Sequence, residues 1–231
     1  MDRIVTLEDL SRVAVPAQTD SYTPVRHNDF ISTVVGASND FGFALRDSSF
    51  LASNEGKVMI AKLSFIDPND SEMDYQVGLL NSYDKTKAAT IGIGSIVRIC
   101  SNGMLSAEHA LKRKHTSYVW ADLNEMIESS IRTLSEQHQR NIQARELLKT
   151  VNLSITDYSE IVGRMFIEED IITVTQLSII KKERMNEQSP FRENTMWSLY
   201  NHTTQALKTA HPANYIEQHI NVHEFLTGLV Q

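Results

Sequence analysis

Between Lys57 and Cys100 three apolar runs are separated by turns too short to hold a helix. They are Lys57 to Ile66, Tyr75 to Asn81 and Ala88 to Cys100, joined by Asp67-Pro-Asn-Asp-Ser and Asp84-Lys-Thr-Lys. Parallel strands need a long crossover, so such spacing dictates antiparallel neighbours. An earlier stretch, Phe41 to Arg46, alternates apolar with small or polar residues, and Ser53-Asn-Glu-Gly-Lys is a turn built on left-handed-tolerant residues. The first half therefore reads as a β meander.

After Asn102-Gly103 the texture changes. Ser106-Ala-Glu-His is expected to open a short helix, and a long helix is expected from Trp120 to Lys149. Its apolar residues (Trp120, Leu123, Ile127, Ile131, Leu134, Ile142, Leu148) are mostly three or four apart. Asp157 with Glu160 reads as a capping pair for the next helix. Thr173 or Thr175 caps Gln176 to Met185, Asn194 or Thr195 opens Met196 to Ala210, and Asn214 opens a last helix through Leu229. Upstream, Thr6 caps one helical turn, and His27-Asn28-Asp29 caps a brief helix, Phe30 to Gly36, stopped by the glycine. The fold class is α+β: an antiparallel meander, then a long helix and a helical C-terminal half. A compositional boundary falls near residue 116, giving regions 1–115 and 116–231, which are either two units or one continuous domain.

The 231 residues are 41% hydrophobic and 22% charged, enough for a real core and too apolar for disorder. No run of eighteen apolar residues is present, so no membrane span is expected. Met1-Asp-Arg-Ile-Val-Thr-Leu-Glu-Asp is too acidic for a secretory leader. Cys100 is the only cysteine, which excludes an intramolecular disulfide and fits a reducing cytoplasm. It sits in an apolar run and reads as a small core residue.

The net charge is −7, against a generic nucleic-acid coat. Between Leu79 and His115, however, six basic residues meet two acidic ones. Lys85, Lys87, Arg98, Lys112, Arg113 and Lys114 are the candidate phosphate contacts, with Tyr118 and Trp120 as candidate stacking partners for bases. The alternative is a charged surface loop joining the two halves. Asp84, Arg98, Cys100 and Asn102 are near one another along the chain, the best opening for an enzyme, but no nucleophile–base pair is evident. His219 and His223 share one helix face without a third metal ligand, so no metal and no cofactor is expected. Gly92-Ile-Gly94 lacks the strand–turn–helix setting of a nucleotide loop and reads as a bulged strand. On the long helix, Glu128–Arg132 and Glu136–Arg140 are i,i+4 pairs on a solvated face. The near-heptad apolar spacing beside them also suits packing against a second copy, a possible homo-oligomer.

Three elements in order resemble a known family. Leu80-Asn-Ser-Tyr-Asp-Lys-Thr-Lys-Ala-Ala is similar to its N-S-H-D-G-S-S-A element, with Tyr83 in place of His and Lys85 in place of Gly. Val97-Arg-Ile-Cys-Ser-Asn is similar to V-R-V-V-C-x-N, and Thr195-Met-Trp-Ser-Leu-Tyr-Asn-His-Thr-Thr to T-x-W-x-x-Y-N-A-x-T. The family is the phage- and plasmid-associated group called domain of unknown function 932. The resemblance implies a mobile-element origin and action in the bacterial cytoplasm, and it carries no activity. A meander followed by a long helix is also similar to phage single-strand annealing proteins of the Rad-fifty-two-like type, which form rings with a basic groove. Two readings stand open: a non-enzymatic protein binding single-stranded nucleic acid, and an interaction protein that binds a host protein, for instance in counter-defence.

Overall fold

The computed structural model describes residues 3–230. Six strands form one sheet in chain order, every neighbour antiparallel. They are β1 (Arg3–Val5), β2 (Leu45–Ser53), β3 (Val58–Phe65), β4 (Met73–Ser82), β5 (Ala89–Val97) and β6 (Asn102–Arg113). The helices are α1 (Leu7–Ser11), α2 (His27–Asp40), α3 (Val119–Thr150), α4 (Ile155–Gly163), α5 (Val174–Arg184), α6 (Met196–Ala206) and α7 (Tyr215–Gly228). The α+β meander expected from the spacing is what forms.

The central strands are buried on both faces, which is why they read as continuous apolar runs and not as strict alternation. On one face Met59, Leu63, Val77, Leu79, Ile91 and Ile93 meet Phe30 and Val34 of α2 and Leu123, Ile127 and Leu134 of α3. On the other, Ile60, Leu80 and Leu105 meet Tyr215, Ile216 and Ile220 of α7. Gly78 and Gly92 face each other across β4 and β5. A Cβ at Gly92 would stand 3.3 Å from Ile216, so the missing side chains are what let α7 lie this close. At the sheet end, Met73, Val97 and Met104 share a third core with Leu148, Tyr158, Leu199 and Tyr200 from the helical half.

α3 has 32 residues and is therefore about 48 Å long. Its apolar stripe, from Val119 to Leu134, packs on its own sheet. The near-heptad spacing is thus accounted for within the chain. Its outer face carries the expected Glu128–Arg132 and Glu136–Arg140 pairs, at 2.6 and 2.7 Å.

Local differences from expectation have local causes. Ser106 to His109 continue β6 as strand, not as a helix start, because β6 pairs along nearly all of β5 with a bulge at Gly92/Gly94. α2 runs straight through Gly36 to Asp40, since its buried residues Phe30, Ile31, Val34 and Ser38 continue the stripe beyond the glycine. The cap of α4 is Ser154, whose hydroxyl accepts from the Asp157 N–H while Asp157 accepts from the Ser154 N–H; Asp157 is the box's acid and not its cap. Thr6, Thr173 and Thr195 cap α1, α5 and α6 as their positions predict. No helix among the described residues is long and apolar enough to cross a membrane.

Candidate nucleic-acid interface

The β4–β5 hairpin and the end of β6 lie side by side, because Ala89 pairs with Arg113 and Thr90 with Lys112. This register brings Lys85, Lys87, Lys112, Arg113 and Lys114 to one end of the sheet, with Tyr118 just beyond.

Asp84 builds the hairpin. One carboxylate oxygen accepts from the Ser82 hydroxyl (2.5 Å), the Thr86 N–H (3.0 Å) and the Thr86 hydroxyl (2.6 Å), and the other accepts from Asn54 (2.6 Å). Partial burial pushes its pKa up, but these donors outweigh it and hold the carboxyl well below the usual carboxylate range. Lys85 then takes a left-handed backbone conformation (φ 66°), and its ammonium sits 4.4 Å from the centroid of the Tyr22 ring.

Beneath the hairpin, Asn81 ties four segments together. Its amide donates to the Val25 carbonyl (2.6 Å) and to His27 Nδ1 (2.9 Å), and its oxygen accepts from His115 Nε2 (2.9 Å). His27 Nε2–H donates to the Gly56 carbonyl (3.0 Å), which fixes Nδ1 as the acceptor for Asn81. The His27 ring stacks on Tyr83 at 3.9 Å and 10°. Burial lowers the pKa of His27 to about 4 and lowers that of His115. The first family-like element is thus a structural knot under a basic turn.

The eight candidate residues do not all converge. Arg98 follows the far end of β5, about 30 Å from Lys87 at the strand rise, and it is occupied. Its guanidinium donates to buried Asp74 (2.7 Å) and to the Asp67 carbonyl (2.5 Å). Arg113 pairs with Asp122 at 2.5 Å on the α3 side of the sheet. Trp120 is partly buried against the main core, so its ring is not a free platform. Tyr118 is 75% exposed. Lys87 and Lys112 line a groove of about 310 Å³ whose opposite wall includes Glu217 and Glu224 of α7. Of the eight candidates, Lys85, Lys87, Lys112, Lys114 and Tyr118 remain at this end of the sheet, with Arg113 already paired.

The enzyme-like grouping separates as well. Asp84 is at the hairpin end, and Arg98, Cys100 and Asn102 are at the other. Cys100 lies in the turn after β5, and burial pushes its thiol up to about 11, far from a reactive thiolate. His219 and His223 are both buried, against the Gly103 carbonyl and the Tyr200 hydroxyl. No group of three metal-ligating side chains occurs among the described residues.

One constellation escaped the sequence. Ser95 Oγ lies 2.7 Å from His138 Nδ1, and His138 Nε2 lies 3.0 Å from Asp67 Oδ2. The residue types are those of a hydrolase triad, separated by 43 and 71 positions, so no local pattern announces them. All three are at most 1% exposed, and Asn141 also donates to Ser95 (3.0 Å). With no surface for a substrate to reach, the chain of bonds anchors the polar half of α3 to the sheet.

No curated protein and no solved structure matches the chain. The family model for domain of unknown function DUF932 matches residues 18–225, and the chain belongs to that family.

Proposed function

We propose that this protein is a non-enzymatic, mobile-element protein that binds single-stranded nucleic acid at the hairpin end of the sheet, in a recombination- or annealing-like role. The observation that carries this reading is the gathering of Lys85, Lys87, Lys112 and Lys114, none in an ion pair among the described residues, at one end of the sheet, with the exposed Tyr118 following β6 in the chain. The lysines supply charge for phosphates and Tyr118 a face for a base. Glu217 and Glu224 bound the patch on the α7 side and steer a strand away from that helix.

The test is the anisotropy of a labelled oligonucleotide across a salt series. Four phosphate contacts predict a log–log slope of about −3 for a single strand. Lys112→Glu with Lys114→Glu removes binding, while Lys182→Glu on α5 leaves it unchanged. No binding at low salt ends this reading.

A second reading has one observation in its favour. Ile155, Ile167, Val174 and Met185, on or beside α4 and α5, are largely exposed apolar residues suited to a host-protein contact. A pull-down from host lysate, compared with an Ile167→Asp/Val174→Asp variant, tests it; no partner lost on substitution sinks it.

A further inference from the structure

The groove between α7 and the hairpin end of the sheet has a floor of small side chains. Leu80 pairs with Thr90 and Thr90 with Lys112, so these three share the sheet face that α7 covers. Ala88 and Ala110 stand two positions before Thr90 and Lys112, on the same face. Ile216 and Ile220 face them from α7, and Ala213 lies just before that helix. With only methyl groups at the three alanines, a groove of about 310 Å³ is left open between helix and sheet. That is the small end of the range for ligand sites, room for one flat ring system and not for a folded partner.

The rims of the groove carry opposite charge. Lys87 and Lys112 stand on the sheet side. Glu217, Asn221 and Glu224 stand on the helix side, on one exposed face of α7, with Asn221 one helical turn from either acid. Among the described residues none of the four charges is in an ion pair, and the Asn221 carboxamide makes no hydrogen bond. Both rims are free to meet a ligand. A simple anion suits the lysines and is repelled by the acids, and a simple cation suffers the reverse. A ligand that suits both is anionic at one end and presents N–H donors at the other. Between them it has a flat, largely apolar body to lie among the alanines and isoleucines.

A nucleotide within a single strand has that form. Resting on the nucleic-acid reading above, we propose that the groove takes in one guanine base of the bound strand. Lys87 and Lys112 hold the flanking phosphates, and the acids that repel a phosphate accept from the base instead. Carboxylate oxygens only accept. On its Watson–Crick edge guanine has two adjacent donors, N1–H and N2–H, matched to the two oxygens of one carboxylate, with O6 beside them for the Asn221 amide. Thymine offers one N–H between two carbonyls. Adenine and cytosine each set a ring-nitrogen lone pair beside their amino group. Each of the three therefore turns an acceptor toward the acids, and guanine does not.

The test is fluorescence anisotropy of the intact protein at low salt with four labelled strands: an all-thymine oligonucleotide, and the same strand with one central guanine, adenine or cytosine. The guanine strand is expected to bind about tenfold tighter than the other three. Glu217→Gln with Glu224→Gln, both at exposed positions, is expected to keep the cooperative thermal transition, to bind the thymine strand more tightly because acids that repel phosphate are gone, and to lose the guanine preference. Asn221→Asp, which replaces the donor for O6 with an acceptor, is expected to lose it as well. Equal binding of the four strands, a preference for another base, or a guanine preference that survives in either variant overturns the guanine site and leaves the nucleic-acid reading standing. No binding of any strand ends both.

Discussion

Asn102 donates to Asn201 twice, to its backbone carbonyl at 3.0 Å and to its side-chain oxygen at 3.1 Å. The first residue opens β6 and the second lies in α6, 99 positions later. Both are about 1% exposed, and Asn201 in turn donates to the Trp197 carbonyl at 2.9 Å. Two family-like elements thus meet in one buried contact that joins sheet and helices. Asn102→Ala removes one donor from each Asn201 acceptor inside the core, leaving the Thr204 hydroxyl on the carbonyl and the weak Cys100 thiol on the side-chain oxygen, and is expected to destabilise by about 1–3 kcal/mol. Urea unfolding measures this; a loss below about 0.5 kcal/mol would show that the contact is incidental.

Asp74 organises the far sheet end. It is 1% exposed and accepts from Arg98 (2.7 Å), Arg46 (2.5 Å) and the Asp67 N–H (2.9 Å). Removing the acid strands two guanidinium groups, whereas removing Arg46, whose side chain is 43% exposed, strands nothing buried. Asp74→Ala is expected to cost about 3–5 kcal/mol and Arg46→Ala less than about 1 kcal/mol. Comparable losses in a denaturant series would refute this hierarchy.

Acid sensitivity follows from the histidines. Burial lowers His27, His202 and His223 to about 4, and burial with Lys62 lowers His219 to about 3. Above the unfolded value near 6.5 both states are neutral and stability is flat. Below it the unfolded chain takes up protons that the folded chain refuses, so stability falls as pH drops from about 6.5 towards 4. For fully buried His27 alone the full effect is on the order of 3 kcal/mol. Asp70, held at about 2 chiefly by Arg145 and two backbone N–H groups against its burial, weakens the fold only below the ordinary carboxylate range. Urea midpoints at pH 7.5, 6.0 and 5.0 are expected to decline with more than one proton taken up on unfolding. Constant midpoints would mean that the buried rings titrate normally.

The sequence showed most of the fold and little of the site's geometry, for separable reasons. The strands from Val58 to Val97 were legible because tight polar turns leave antiparallel pairing as the only arrangement. β6 was not, because Ser106-Ala-Glu-His carries local helix-start residues and only its pairing with β5 makes it strand. Proximity along the chain misled where strands run antiparallel: Lys87 and Arg98 are eleven positions apart and at opposite sheet ends. The reverse held for Asn81 with His27 and for Lys62 with His219, which only the folded topology brings together. The caps Thr6, Thr173 and Thr195 were legible because a capping bond spans three residues and needs no tertiary context.

Gly36 shows where a local rule met a tertiary override. It reads as a stop, yet α2 continues past it for four residues, and a Cβ there would meet nothing within 4 Å. An exposed glycine inside a helix costs about 0.5–1 kcal/mol relative to alanine, so Gly36→Ala is expected to raise stability by that amount. Gly94 is the contrast. It sits at the β5 bulge, where a Cβ would come 1.9 Å from the Met104 carbonyl oxygen, an overlap that no rotamer relieves because both partners are backbone. Gly94→Ala is expected to abolish the cooperative thermal transition or to force β6 out of register. Thermal unfolding of the two variants side by side decides the matter. A destabilised Gly36→Ala would mean that α2 is not continuous through residue 36, and a wild-type Gly94→Ala would mean that β6 does not cross β5 at this bulge.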